Sequence, residues 1–336
     1  MASARIPAGV ARRTAREIDE ALRHAAAMAG DAPSVHNTQP WRWHVADGAL
    51  ELWADRDRQL RVADPVGRML TVSCGAALHH ALVALAAQGL RPAVVPLPDP
   101  ARPDLLARVT VSGNAPITSA DIRMYDATAL RRTDRRPVSP DRMDETTMQA
   151  LANAARPHGA VLRYLTRDRV AAVAELAAAA TEAQQADEAW RAELRRWTGD
   201  PGTSGTGVPD VNLPERPVRN PVPERDFGRR GTLPVGDEPG GEPVYAVLCG
   251  EEDRPAGWLA AGQALSALWL TAGELGVSVV PVSSVIEVPV TRRALRDLLG
   301  STTWPYLVLR LGLTDPRERG PLATPRLPAD RTVDEA

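Results

Sequence analysis

Lysine does not occur in the 336 residues; all 40 basic positions are arginine. Schiff-base chemistry on a lysine amine is therefore excluded, and any anion must be held by guanidinium groups or by neutral donors. Cysteine is almost as scarce. Cys74 and Cys249 are the whole complement, which excludes a disulfide framework and any cysteine-based zinc spacing. No sign of charge dominates: 40 basic against 42 acidic residues leave −2 at pH 7, giving neither a nucleic-acid footprint nor a polybasic membrane patch. Residues 1–16 lack an apolar stretch of the secretory kind, and no apolar run approaches the ~20 residues of a membrane span. The expectation is a cytoplasmic chain with a small-molecule ligand and neither a nucleic-acid nor a membrane partner.

What is present is core-forming material, 44% hydrophobic, in a length that suits two domains or one large one. Periodicity predicts a helix over 16–30, strands at 43–46 and 49–54, and a helix over 72–88 ended by Gly89. Strands follow at 92–96 and 106–111. Beyond residue 116 the pattern predicts helices at 121–131 and 144–155, a strand at 159–165 and one long helix over 167–197. Residues 198–243 are dense in Pro and Gly and read either as a linker or as a lid. A stretch of that length inside a domain favours a lid. A strand at 244–248, a helix at 258–275, an apolar run at 277–284, a helix at 290–300 and a strand at 306–312 complete the pattern. The last 20 residues form a Pro-rich tail.

Part of the chain repeats. Gly75-Ala-Ala-Leu78 opens a helix that ends fourteen residues on at Gly89; Gly262-Gln-Ala-Leu265 opens one that ends fourteen on at Gly276. Both are apolar around most of their circumference, the signature of a buried helix. Duplication places them against each other at the centre of two halves, 1–115 and 116–336. Shared Ala/Leu/Gly composition is the other explanation.

Three features carry chemistry. Residues 32–43, Ala-Pro-Ser-Val-His-Asn-Thr-Gln-Pro-Trp-Arg-Trp, hold short polar side chains between two prolines that fix φ. They suit a planar hydrogen-bonding ligand, or an ordinary helix-to-strand connection. Arg131-Arg132-Thr133-Asp134-Arg135-Arg136 is the densest basic cluster, a phosphate site or a solvated turn. Arg310 interrupts an apolar terminal strand, where a charge requires a partner, either a phosphate or a buried carboxylate. His79 and His80 are adjacent and so face different ways on a helix, a poor metal pair; no metal site is expected. The glycines at 199–207 fit neither a P-loop nor a dinucleotide fingerprint.

In combination these stretches resemble the nitroreductase-fold FMN proteins. The match is closer to the Acg family, in which two such domains are fused. Residues 32–41 resemble the flavin-ring loop and 131–135 the phosphate motif. Asp64-Pro-Val-Gly-Arg68, Ser73-Cys-Gly-Ala-Ala-Leu78, Gly262-Gln-Ala-Leu265 and Arg225-Asp-Phe227 resemble that family as well. The resemblance covers about residues 16–315. It implies an α+β fold of two fused nitroreductase-like halves, an intramolecular pseudo-dimer that is monomeric or pairs again. It implies that Arg131, Arg132, Thr133 and Arg310 hold the FMN phosphate and that Arg135 approaches the ring. Ser34, His36, Asn37 and Gln39 would contact ring or ribityl, and Pro281, Val282 and Ser283 would pass its far edge. Nothing like the ring loop follows Arg136, so one FMN per chain is expected. Arg12-Arg13-Thr14 is only a partial counterpart of the phosphate motif. The implied activity is NAD(P)H-dependent reduction of nitroaromatic, quinone or similar acceptors. The alternative is an FMN-sequestering protein with a lid over the flavin. No catalytic residue is implied, because the flavin carries the chemistry.

Overall fold

Residues 13–198, 205–236, 240–315, 317 and 320–334 are described by the computed structural model. The polar segment 1–12, with Arg12, and the Gly-Asp-Pro-Gly stretch at 199–202 lie outside the described residues. Helix α1 (Ala15–Met28) starts where the sequence supplies a capping box. The Thr14 hydroxyl accepts from the Glu17 N–H, and the Glu17 carboxylate accepts from the Thr14 N–H. Thr14 is thereby committed to a helix end rather than to a ligand. Strands β1 (Trp41–Ala46) and β2 (Ala49–Ala54) form a hairpin through Asp47-Gly48, with φ of 53° and 66°. Positive φ at both positions is what a two-residue type I′ turn demands. Next come α2 (Arg68–Ala87), β3 (Leu90–Pro96) and β4 (Leu105–Asn114).

After residue 115 the order is α3 (Ser119–Leu130), α4 (Glu145–Ala155), β5 (Val161–Tyr164), α5 (Arg167–Ala186) and α6 (Glu188–Arg196). The single helix expected over 167–197 is thus two. At Asp187 the backbone turns extended, with ψ of 114°, and the Asp187 carboxylate caps α6 by accepting from the N–H groups of Ala189 and Trp190. Then follow β6 (Val244–Gly250), α7 (Pro255–Glu274), β7 (Val277–Val282), α8 (Ser284–Glu287), α9 (Pro289–Leu298), β8 (Trp304–Leu313) and β9 (Val333–Asp334).

Two sheets result, and they share a plan. The first runs β1-β2-β4-β3 and the second β5-β6-β8-β7, every one of these neighbours antiparallel. The central helix enters at the same place in each, between β2 and β3 and between β6 and β7. Both helices stop at a left-handed glycine, Gly89 with φ 71° and Gly276 with φ 66°. Each glycine carbonyl then accepts from the residue after the last strand, Ala115 at 2.8 Å and Thr314 at 2.9 Å. The tail departs from this plan. It returns to the first sheet, where β9 pairs in parallel with β1 and the Thr332 carbonyl accepts from the Trp43 N–H at 2.7 Å.

The two central helices cross at their glycines. A Cβ on Gly75 would stand 2.1 Å from the Leu259 carbonyl oxygen, and one on Gly262 would stand 2.0 Å from that of Val72. Backbone meets backbone there, so no side chain fits. The crossing also mixes the cores. Met69 and Val72 of α2 pack into the core of the second sheet, and Leu259 of α7 packs into that of the first. Helix α2 corrects one expectation: it is 20 residues long, and a stretch within it with a mean hydropathy of 1.6 makes it long and apolar enough to cross a membrane. Burial of 89% of that stretch marks it as a core helix. It begins at Arg68, four residues before the expected start, with left-handed Gly67 as its N-cap, and the Asp64 carboxylate accepts from the Leu70 N–H of its first turn at 2.9 Å.

Gly262→Ala should therefore lower stability by about 1–3 kcal/mol, the usual range for overpacking. Gly273→Ala, in the same helix with no atom within 4 Å of the added Cβ, should raise it by up to about 1 kcal/mol. Equal effects in urea unfolding would show that the crossing is not the tight point.

Candidate functional site

The loop after α1 is locally strained. His36, Asn37 and Gln39 have φ of 47°, 55° and 50°, the left-handed region that non-glycine residues occupy only at a cost. Hydrogen bonds hold it there. The Ser34 hydroxyl accepts from the Gln39 N–H at 2.9 Å, and the Ser73 hydroxyl of α2 accepts from the Val35 N–H at 3.2 Å. More come from segments remote in sequence. The Asn37 amide donates to the carbonyls of Gly207 at 3.0 Å and Pro325 at 2.9 Å. The Gln39 amide donates to the Gly205 carbonyl at 2.8 Å, and its oxygen accepts from the Leu327 N–H at 2.9 Å.

This loop forms one wall of a cleft whose empty space, open mouth included, is about 1100 Å³. Ser34, His36 and Asn37 line it with Ser73 of α2. The segment after α3 contributes Arg131, Thr133 and Arg135; α7 contributes Leu265 and Trp269; the end of β7 contributes Pro281, Val282, Ser283 and, beyond it, Ser284. The cleft thus draws on segments that flank each of the two sheets. The Pro/Gly-rich insertion contributes Val208, Glu224, Arg225 and Phe227 to the lining, and the tail adds Thr324 and Arg326.

Three expected residues do not reach the cleft lining. Gln39 is fully buried and spends its amide on the insertion and tail. Arg132 turns back to donate to the carbonyls of Ala129 and Arg131. Arg310, 1% exposed, donates to the Asp134 carbonyl at 2.8 Å and lies 3.0 Å from the Glu224 carboxylate. A carboxylate is one of the two partners foreseen for Arg310, and the Nη1 of Arg310 is buried with no hydrogen-bond partner. Asn37 lines the cleft, but its amide serves the insertion and tail rather than open space.

Electrostatics sharpen the picture. Arg131 stacks on Trp269 with the guanidinium carbon 4.7 Å from the ring centroid, and its Nε and Nη1 are buried without a hydrogen-bond partner. Burial, with Arg326 and Arg132 nearby, pulls its pKa down to about 9. Arg135 donates to the Asn212 carbonyl at 3.1 Å and lies over Phe227; burial brings its pKa to about 10. The Ser284 hydroxyl is also buried and unpartnered. Buried donors in this state are costly unless something accepts from them. His36 is held neutral by burial and by Arg225 and Arg135. Cys74 is buried, donates to the Pro40 carbonyl, and has its pKa pushed up by burial, so it is no nucleophile.

The chain is 37% identical over 324 residues to a Mycobacterium tuberculosis protein that carries the name of an NAD(P)H nitroreductase, Rv3131. The match covers 94% of this chain and 91% of that one. The chain belongs to the nitroreductase family. A second relative from M. tuberculosis, named for the same activity and called acg, is 33% identical and covers 93% of this chain and 94% of its own. Among solved structures, a nitroreductase with bound FMN from Desulfitobacterium hafniense covers 64% of this chain at 12% identity, with a TM-score of 0.39. No family model matches.

Reasoning from the sequence of this family member missed Glu224, Thr324 and Arg326. The only signal for the last was its setting, Thr-Pro-Arg-Leu-Pro at 324–328, a cation bracketed by prolines as the polar loop is.

Histidines held neutral set an acid limit. His36, His79 and His80 all have depressed pKa values, that of His79 reaching about 3, chiefly through burial. The unfolded chain takes up protons near pH 6.5 while the folded chain resists. Stability is thus intact above that pH and falls below it, with a slope approaching ~1.4 kcal/mol per pH unit for each histidine. Urea unfolding between pH 7 and 5 checks this; His79→Gln should flatten the slope.

Proposed function

We propose that this chain is an FMN-dependent oxidoreductase of nitroreductase type. It would take electrons from NAD(P)H and reduce a nitroaromatic, quinone or similar small acceptor, with one FMN per chain in the cleft between two halves that divide near residue 115. The observation that carries this reading is the Arg131 guanidinium, buried in the cleft wall, stacked on Trp269 and left with two unpartnered nitrogens. A phosphate ester meets that need, because charge-assisted bonds to guanidinium are the strong ones. The remaining lining fits a flat polar ring: apolar Val72, Leu265 and Val282 beside the hydroxyls of Ser283 and Ser284.

The flavin, when bound, supplies the two-electron chemistry. The chain's residues bind and orient. Arg131 and Thr133 would hold the phosphate end. Ser34 and His36 on one side, with Pro281, Val282 and Ser283 on the other, would flank the ring. Arg135 would bring positive charge to it, which favours a reduced, anionic ring over the oxidised one. His36, kept neutral, offers a hydrogen bond but no ready proton. No residue is assigned as a catalytic acid.

A second reading has its own observation. Insertion and tail are tied to the polar loop by hydrogen bonds from Asn37, Gln39 and Leu327, and a cover of that kind suits an FMN-sequestering protein with little turnover. Anaerobic addition of NADH or NADPH to the purified protein separates the two. Rapid bleaching of one bound FMN per chain is expected. Intact FMN that neither cofactor bleaches would favour sequestration, and a protein that takes up no flavin would refute both. Arg131→Ala should weaken FMN binding by about 10- to 100-fold, the loss of one or two charge-assisted bonds.

A further inference from the structure

Ser283 stands where a serine usually caps a helix. It follows β7 directly and holds the N-cap position of α8. A serine hydroxyl there ordinarily accepts from the N–H groups of the following turn. Here the side chain makes no such bond. Its backbone is already in the helical region, with φ of −88° and ψ of −20°, rather than in the extended one that capping uses. The Ser283 oxygen accepts instead from Nη2 of Arg225, at 3.1 Å, and Ser283 lines the cleft.

Arg225 belongs to the insertion, and several elements hold it in place. The same Nη2 pairs with the Glu287 carboxylate of α8. The guanidinium carbon lies 5.4 Å from the ring centroid of Trp190 on α6. The other Glu287 oxygen accepts from the Gln184 amide of α5 at 2.7 Å. With side chains 9% and 2% exposed, Arg225 and Glu287 form a buried pair, and removing one member would leave the other charge uncompensated. A guanidinium has donors only. An N–H that donates to the Ser283 oxygen therefore leaves the hydroxyl's own hydrogen to be given elsewhere, and a donor that is charged polarises it further. Among the described residues no acceptor takes that hydrogen; the bond from Arg225 is the one the Ser283 side chain makes. Beside it the Ser284 hydroxyl is buried and has no partner either.

We propose that Arg225 is a positioning residue: from the insertion it fixes the Ser283 hydroxyl as a hydrogen-bond donor into the cleft, so that Ser283 and Ser284 make the end of β7 a two-hydroxyl edge for an acceptor atom of the ligand's ring. The insertion thereby shapes the site through Ser283 rather than through a contact of its own with the ring. That the ring is a flavin rests on the function proposed above; the setting of Ser283 by Arg225 does not.

The test is a mutant cycle on the full chain, stripped of flavin and titrated with FMN and with riboflavin. Ser283→Ala should weaken both by the same factor, about 2- to 10-fold, the range for one neutral hydrogen bond, and should shift the visible absorption of the bound flavin. Arg225→Gln combined with Glu287→Gln removes the ion pair without leaving a buried charge alone. That double change should cost a similar factor in the parent and nothing further in Ser283→Ala. Arg225→Lys keeps a cationic donor and should recover part of the loss. A full additional loss in the Ser283→Ala background would overturn the proposal, as would a Ser283→Ala protein with the affinity and spectrum of the parent. If the parent binds neither flavin, the flavin reading fails by itself, and urea unfolding of the same variants then decides whether Arg225 sets Ser283. Non-additive losses of stability support it, and additive losses overturn it.

Discussion

Everything in this molecule is positioned by the approach of two backbones at Gly75 and Gly262. Because neither helix carries a Cβ there, α2 and α7 come closer than side chains would allow, and each reaches past the other into the opposite core. Van der Waals contact of this kind is weak per atom and large in sum. Here it also sets geometry. Leu265 and Trp269 stand on α7, three and seven residues beyond Gly262; Met69, Val72 and Ser73 stand just before Gly75 on α2. All five line the cleft, so the floor of the site is built from residues whose spacing the crossing dictates. A shift of either helix would move the ring of Trp269 from under Arg131 and separate Ser73 from the N–H of Val35.

Upon that floor the charges are arranged unequally. Burying a guanidinium is expensive, and the usual remedy is a carboxylate. The insertion supplies that remedy for Arg310 with Glu224, and α8 supplies it for Arg225 with Glu287. Arg131 rests on the face of an indole, a favourable contact but a weak one beside a full ion pair, and feels the Asp31 carboxylate. The chain thus carries a cationic spot at Arg131 inside a molecule of net charge −2. Such a spot lowers folding stability, and a bound anion that occupies it returns that stability through mass action.

Much of this was legible in the sequence, for identifiable reasons. The loop at 32–43 stood out because two prolines bracket it, and Arg131 because arginine clusters densely there. The paired helices stood out because glycine recurs at one spacing in two apolar runs. What escaped shares a different property. Glu224, Thr324 and Arg326 lie in segments without periodicity, where position is decided by hydrogen bonds to distant partners rather than by local pattern. Arg310 illustrates the same limit from the other side. A charge in an apolar strand announces that it has a partner, but the strand says nothing of which segment brings it. The break at Asp187 escaped because helix propensity continues through it, and only the side-chain cap on α6 ends the preceding helix.

The strained loop connects these points. Three non-glycine residues in left-handed backbone cost of order 1–3 kcal/mol each, and the loop's internal hydrogen bonds are too few to offset that. The balance comes from the insertion through Gly205 and Gly207 and from the tail through Pro325 and Leu327. The two segments also press on each other at Gly205, whose φ of 69° places its backbone against Arg326. Insertion, tail and loop are therefore energetically one unit. Lifting the insertion from Asn37 would remove the support of the loop's strained backbone and loosen the contact that holds Arg326. Access to the cleft, the shape of its polar wall and the place of Arg326 in its lining are set together.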